Sequence, residues 1–565
     1  MFRSRRWLAI VMQLALVASF IIAPVAAKSN GGRDKIKADE LKEWLSYLAS
    51  DEFEGRDTFT EGLGLAAGYI AGQLKSWGIK PGGPNGSYFQ RVAVIGVKST
   101  NNSTVTVEVN GQSRTFKNKE GVSFPTNVGG RQTVTANEVE FVGYGLNLPG
   151  GQNDYANRNV KGKAVVFLGT TPPNSAAFRA MFSRGRTATE QEGAIATVGP
   201  TLVFPGNRGG PGGGEQAGGA GRRNILPDPD FTTVQRLDLP TPPAATAQDE
   251  FFEFLFSGAD VKYADLKQKL VNKEPLPSFT LKNVRLTFNI DATYQTVRTQ
   301  YTRNVIGIIE GTDTKLKNTY VAFGAHYDHV GYAEGEVSEG RRQGARGRVT
   351  ASAVEDRIWN GADDDGSGTV SILAVAKAFA QGSKPKRSLL FVWHAGEEKG
   401  LFGSRYFADY PTVPMESIVA QINIDMIGRN RDNKAEEENT VYPVGSDRIS
   451  TEFHNLTVDA NDALAKPLTL NYEMNDPADL EQIYYRSDHY SYAAKGVPII
   501  FLTTGLHPDY HANTDSPEKI AYDKMAHIAQ YAYEIGARTA NLDHAPARDN
   551  RGPRVGKTVA GKLKQ

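Results

Sequence analysis

The chain has 565 residues and not one cysteine. That absence excludes disulfide staples, thiolate metal sites and cysteine nucleophiles. Any bound metal must therefore take imidazole and carboxylate ligands. An excess of either charge is lacking too: 64 Lys and Arg stand against 63 Asp and Glu. Such a balance gives no reason to expect nucleic acid as a partner. Beyond residue 27 no stretch approaches the roughly 18 to 20 apolar residues that span a bilayer. No internal repeat is visible.

What is there begins with an export signal. Arg3, Arg5 and Arg6 form a positive start, Trp7 to Ile22 is mostly apolar, and Val25-Ala26-Ala27 is a small-residue exit. An uncleaved anchor is the alternative. Removing residues 1–27 takes three Arg and no acid, leaving 61 bases against 63 acids. The mature protein is then expected in the periplasm or outside the cell, without stable membrane insertion.

Helical spacing follows at Asp39 to Ala49 and at Leu63 to Trp77, separated by the polar loop Asp51-Glu52-Phe53-Glu54-Gly55-Arg56. From Tyr88 the pattern alternates as in strands, with Asn110-Gly111 as a hairpin turn. Between about 115 and 285 short strands lie among Gly and Pro. Residues 206–221 hold nine glycines, which read as a surface loop rather than a phosphate cradle, since no Lys-Ser/Thr pair follows. From Asn304 onward near-continuous apolar strands alternate with helices. This order predicts an α/β fold: a mixed, mostly parallel central sheet with helices on both faces. The expected organisation is 28–114 and 286–540 as one main domain, 115–285 as an inserted β-rich domain, and 541–565 as a disordered tail.

The chemistry-bearing residues fall in clusters just after strands. His326-Tyr327-Asp328-His329 follows one strand and Glu397-Glu398 another, while Asp425 ends a third. In open α/β sheets, ligands gather at the carboxyl ends of strands. The three acids Asp363, Asp364 and Asp365 repel one another, so a cation or a solvated turn must relieve them. His326-x-Asp328 has the form of a metal ligand with its own orienting carboxylate.

Together these motifs resemble the bacterial di-zinc aminopeptidases, in the version with an inserted protease-associated domain. The likeness rests on H-x-D at His326, A-D-D-D-G-S-G from Ala362, E-E-x-G-L-x-G-S from Glu397, N-I-D-M from Asn423 and Tyr-His at Tyr510-His511. The resemblance implies a zinc-exopeptidase fold and two zinc ions. It implies that His326 and Asp425 hold one ion, Glu398 and His511 the other, and that Asp364 bridges them, with Asp363 the competing register. Glu397 would be the general base, Asp328 the group orienting His326, and Tyr510 an oxyanion donor. A cis peptide is implied at Asp364-Asp365. Ser487-Asp488-His489 resembles a family piece beside the site; a structural role for that histidine is equally open.

The implied reaction is hydrolysis of the peptide bond at a free N-terminus of a peptide or protein, with Glu397 moving the proton of the attacking water to the leaving amine. A carboxypeptidase on the same scaffold, a single-zinc glutaminyl cyclase and an inactive binding protein are the rivals. The charged insertion from Glu334 to Arg348 reads as a surface loop, with a lid as the alternative.

Overall fold

The computed structural model of the chain describes residues 32–169, 180–201, 227–334, 337, 347–550 and 552. The expected signal (1–27) and the glycine-rich run 206–221 lie outside the described residues.

Among the described residues the main sheet is mixed and has ten strands. Its centre is four parallel strands, in the spatial order Ser388–His394, Tyr320–His326, Ile418–Ile424, Ile499–Thr503. Antiparallel strands flank them: the long Ala292–Ile309 beside Ser388–His394, and Thr440–Val444 beside Ile499–Thr503. The apolar runs are near-continuous because both faces are covered. Side chains alternate across the strand, so Val321, Phe323 and Ala325 enter one core while Ala322 enters the other. The helices Ala38–Leu48, Glu61–Ser76, Gly368–Ala380 and Tyr522–Asn541 close the first face. Phe402–Asp409 and His489–Ala493 close the second.

Among the described residues a second sheet of ten strands has its own buried core. Its boundaries differ from the expected 115 and 285. Thr104–Val109 and Val284–Ile290 pair with each other inside this second sheet. The chain crosses between sheets near residues 102 and 291, on the paired strands Phe89–Asn101 and Ala292–Ile309. Phe231–Thr233 crosses back and adds to the edge of the main sheet against Phe89–Asn101. Composition could not mark these points, because the alternating pattern runs unbroken through both sheets.

One further expectation is corrected in its described part. The described part of the tail is docked. Asp549 accepts from the Thr451 amide at 3.2 Å and Glu452 accepts from the Ala547 amide at 2.9 Å, at the start of the helix Thr451–Asp462. Of the charged insertion itself only Glu334, Val337, Gly347 and Arg348 are described, and its flanks are anchored. Val330, Ala333, Val349 and Trp359 form a small buried core, and Gly331–Tyr332 pairs with Ile358–Trp359. Glu336, Glu339, Arg341, Arg342 and Arg346 lie outside the described residues.

Candidate metal centre

The three acids at 363–365 do three different jobs, because the turn that carries them ends at the buried helix Gly368–Ala380. Asp363 accepts from the Gly428 amide at 2.6 Å and faces Nε2 of His507 at 3.1 Å. Nδ1 of His507 accepts from the Asp509 amide, so Nε2 carries a proton toward Asp363. Asp365 accepts from the amides of His326, Gly368 and Met426 at 3.0–3.2 Å. Both flanking acids are thus committed to scaffolding. Asp364 is left to face the cavity, and the peptide bond joining it to Asp365 is cis.

Asp364 looks two ways. Its Oδ1 lies 3.3 Å from Nε2 of His326, and its Oδ2 lies 3.0 Å from Nε2 of His511. Asp425 stands on the first side, with Oδ2 3.7 Å from His326 Nε2. Glu398 stands on the second, with Oε2 3.0 Å from His511 Nε2. Donors about 2.05 Å from a tetrahedral zinc would be about 3.3 Å apart. The two trios fit that spacing, and their oxygen and nitrogen donors fit zinc. Acid and imidazole atoms of His326, Asp365 and Asp425, and of His329, Asp364 and Glu398, also lie within 4.8 Å of one another. Asp365 is the weaker donor of the first group because its oxygens already accept three amides.

All the expected site residues converge, but one is placed differently from its expected role. The carboxylate of Asp328 does not orient His326. Nδ1 of His326 meets the main-chain oxygen of Asp328 at 3.1 Å, while the carboxylate stays 3.7 Å away. That carboxylate instead accepts from the Glu397 amide at 3.1 Å and from the Thr58 hydroxyl at 3.2 Å. A strand end can turn its own carbonyl onto a ring two residues back, which spacing alone does not reveal.

Glu397 lies on the open side, with Oε2 3.9 Å from His326 Nε2. Burial pushes its carboxyl well above the ordinary range; His326 opposes this and Glu398 adds to it. Glu398 goes the other way. Burial is the largest effect and would raise it, but the His511 charge together with hydrogen bonds from His329 and His511 outweighs burial and holds it at about 2. Adjacent acids therefore sit in contrasting fields. Tyr510 stacks on His511 with ring centroids 4.0 Å apart, and its hydroxyl receives a hydrogen bond from Arg486 at 3.0 Å. Burial raises the phenol further, so it keeps its proton.

His329 was not among the expected ligands. It is fully buried, and Nδ1 is 3.1 Å from Oε1 of Glu398. Its place in the cluster 326–329 was the available signal. Arg486 and Arg56 were also missed, and no local pattern marks either one. The motif Ser487-Asp488-His489 divides. Ser487 bonds Asn423 at 2.9 Å and Asp488 faces His394 at 3.4 Å, while His489 donates to the Tyr484 carbonyl at 2.7 Å and is structural.

This geometry meets a known pattern. Residues 304–535 match the model of Peptidase family M28. A probable leucine aminopeptidase of Trichophyton verrucosum is 28% identical over 249 residues, which is 42% of this chain and 58% of that one. Aminopeptidase Y of Saccharomyces cerevisiae is 26% identical over 280 residues, 47% of this chain and 43% of that one. The chain thus spans about half the length of the curated relatives it matches. Among solved structures, an aminopeptidase from Aneurinibacillus sp. strain AM-1 has a TM-score of 0.43 at 19% identity, covering 92% of this chain and all of that one. A zinc aminopeptidase from Bacillus subtilis has a TM-score of 0.42 at 16% identity, covering 90% and 96%. Every expected site residue from His326 to His511 falls inside the M28 match; residues 32–303 lie outside it.

Proposed function

We propose that the chain is an exported M28-type metallopeptidase that holds two zinc ions and removes residues from the N-terminus of peptides. The observation that carries this reading is the two-sided carboxylate of Asp364, with one oxygen toward His326 and the other toward His511. A buried acid shared between two imidazole and carboxylate groups suits a pair of divalent ions. On this reading His326 and Asp425 hold one ion, Glu398 and His511 the other, and Asp364 both. When bound, the ions supply Lewis acidity to a water and to the scissile carbonyl.

The chain's own groups supply the remainder. Glu397 takes the proton of the attacking water and returns it to the leaving amine. Arg486 occupies the Tyr510 oxygen as donor, so the phenolic proton is free to meet the developing oxyanion. The pocket beside the site has apolar walls from Met426, Met474, Ile483 and Phe501, and acidic groups at Glu397 and Asp425. Carboxylates suit a substrate's ammonium group and the walls suit an apolar first side chain. Arg486, which could attract a C-terminal carboxylate, already pairs with Glu481 at 3.1 Å. This favours trimming from the N-terminus over a carboxypeptidase. The second sheet is read as a protease-associated type of insertion, and export follows from the N-terminal signal pattern.

Metal analysis with assays on aminoacyl amides and N-blocked peptides tests the proposal. Two zinc ions per chain, and chelator-sensitive activity on free N-termini, are expected. Cleavage of N-blocked peptides from the C-terminus would reject the aminopeptidase reading. One ion with cyclised product would select the cyclase.

A further inference from the structure

The segment Glu54-Gly55-Arg56 precedes the first residue of the M28 match by about 250 positions, yet it lies under the metal site. Its charge suggests a solvated loop, but Arg56 is 1% exposed. Three consecutive residues here are left-handed, with φ of 51°, 65° and 49°. Such a run is disfavoured for L-residues and persists only where surroundings enforce it. Gly55 is obligatory: a Cβ would come within 2.5 Å of the Gly331 and Trp359 carbonyls.

The strained turn delivers the Arg56 guanidinium into a nest of carbonyls. Nε donates to Tyr327 at 3.0 Å, Nη1 to Leu48 at 2.8 Å and Asn360 at 2.6 Å, and Nη2 to Gly361 at 2.9 Å. The Arg56 carbonyl in turn accepts from the His329 amide at 3.1 Å. The next two residues extend the reach. Asp57 pairs with Lys399 at 2.7 Å, and the Thr58 hydroxyl donates to Asp328, which holds the Glu397 amide. Three successive residues thus touch all three loops that carry His326, Asp364 and Glu397-Glu398. The guanidinium also puts a fixed cation beneath buried acids: burial pulls it down to about 10, and Asp328, Asp515, Asp364 and Asp365 support its charge.

We propose that Arg56-Asp57-Thr58 is a brace, with Arg56 and Thr58 as positioning residues that set the spacing of the metal-binding loops from outside the M28-matched segment. The proposal rests on the two-metal reading for its effect on metal, but not for its effect on the loops. A lysine keeps the charge and loses the fork of donors, so Arg56→Lys isolates the geometry.

The test compares wild type, Arg56→Lys and Thr58→Val in two ways. Amide hydrogen exchange on chelator-treated protein reads the loops 327–330, 360–367 and 396–400. Zinc titration against a competing chelator reads affinity. Arg56→Lys is expected to expose the three loops together while the strands Tyr320–Ala325 and Leu389–Trp393 keep their protection. Its zinc affinity is expected to fall about 10- to 100-fold, the usual cost of losing an outer partner of a metal ligand. Thr58→Val, the milder change if Arg56→Lys fails to fold, is expected to loosen 396–400 and to weaken zinc binding to a smaller degree. Unchanged loop exchange with wild-type zinc affinity would overturn the brace. Uniform loss of protection across the sheet would also overturn it, leaving Arg56 a plain stability residue. If wild type binds no zinc, the two-metal reading fails, and the exchange pattern alone decides the brace.

Discussion

Oδ1 of Asp328 accepts the main-chain amide of Glu397 at 3.1 Å. A carboxylate two residues after one expected metal ligand therefore fixes the backbone of the expected base on the loop after the neighbouring strand. Truncating it leaves that amide and the Thr58 hydroxyl without their acceptor. Asp328→Ala is expected to lower kcat about 10- to 100-fold, whereas Asp328→Asn keeps an acceptor oxygen and loses less. Steady-state kinetics of the pair checks this; equal losses would argue for charge rather than geometry.

Glu397→Gln is expected to keep the fold and the metal while turnover drops by at least ~10². Metal content and single-turnover rates measured on one preparation separate the two properties. Unchanged turnover would remove Glu397 from its proposed role.

The three acids of the turn should answer differently to truncation. Asp365→Ala strips the acceptor from three buried amides, at about 1–3 kcal/mol each, so a loss of roughly 3 kcal/mol or more is expected. Asp364→Ala takes one of the two acids beside each of His326 and His511, which keep Asp425 and Glu398, so it is expected to cost less metal-free stability than Asp365→Ala while zinc binding fails. Urea unfolding in chelator, with zinc titration, reads both. The opposite ranking would reverse the assignment of Asp364 and Asp365.

A pH effect follows from His489. Burial holds this imidazole at about 3 in the fold, with a smaller opposing effect from its bond to Tyr484. The unfolded chain binds the proton near 6.5. Between those values the unfolded state carries the extra proton, so the contribution present above pH 6.5 is lost as pH falls toward 3. The loss between pH 7 and pH 5 is about 2 kcal/mol. His489→Gln, whose amide can still donate to Tyr484, should flatten that part of the stability curve relative to wild type. Parallel wild-type and variant curves from pH 7 to 5 would contradict the assignment.

By itself the sequence determined the layer order and the position of the chemistry along it. Continuous apolar strands alternating with helices leave few arrangements but a covered sheet, and acids and histidines set just after such strands must gather at one edge. The positions of His326, Glu397, Glu398 and Asp425 were legible for that reason, and those of Asp364 and His511 only through the resemblance of their motifs. Which acid of Asp363-Asp364-Asp365 faces the cavity was decided by folding, because the amides and His507 that claim the other two arrive from residues 326, 368, 426, 428 and 507. The role of Asp328, the burial of Arg56, the docking of the tail and the return of Phe231–Thr233 to the main sheet share that cause. Each depends on a hydrogen bond or strand pairing with a distant partner, and the local pattern around one end carries no mark of the other.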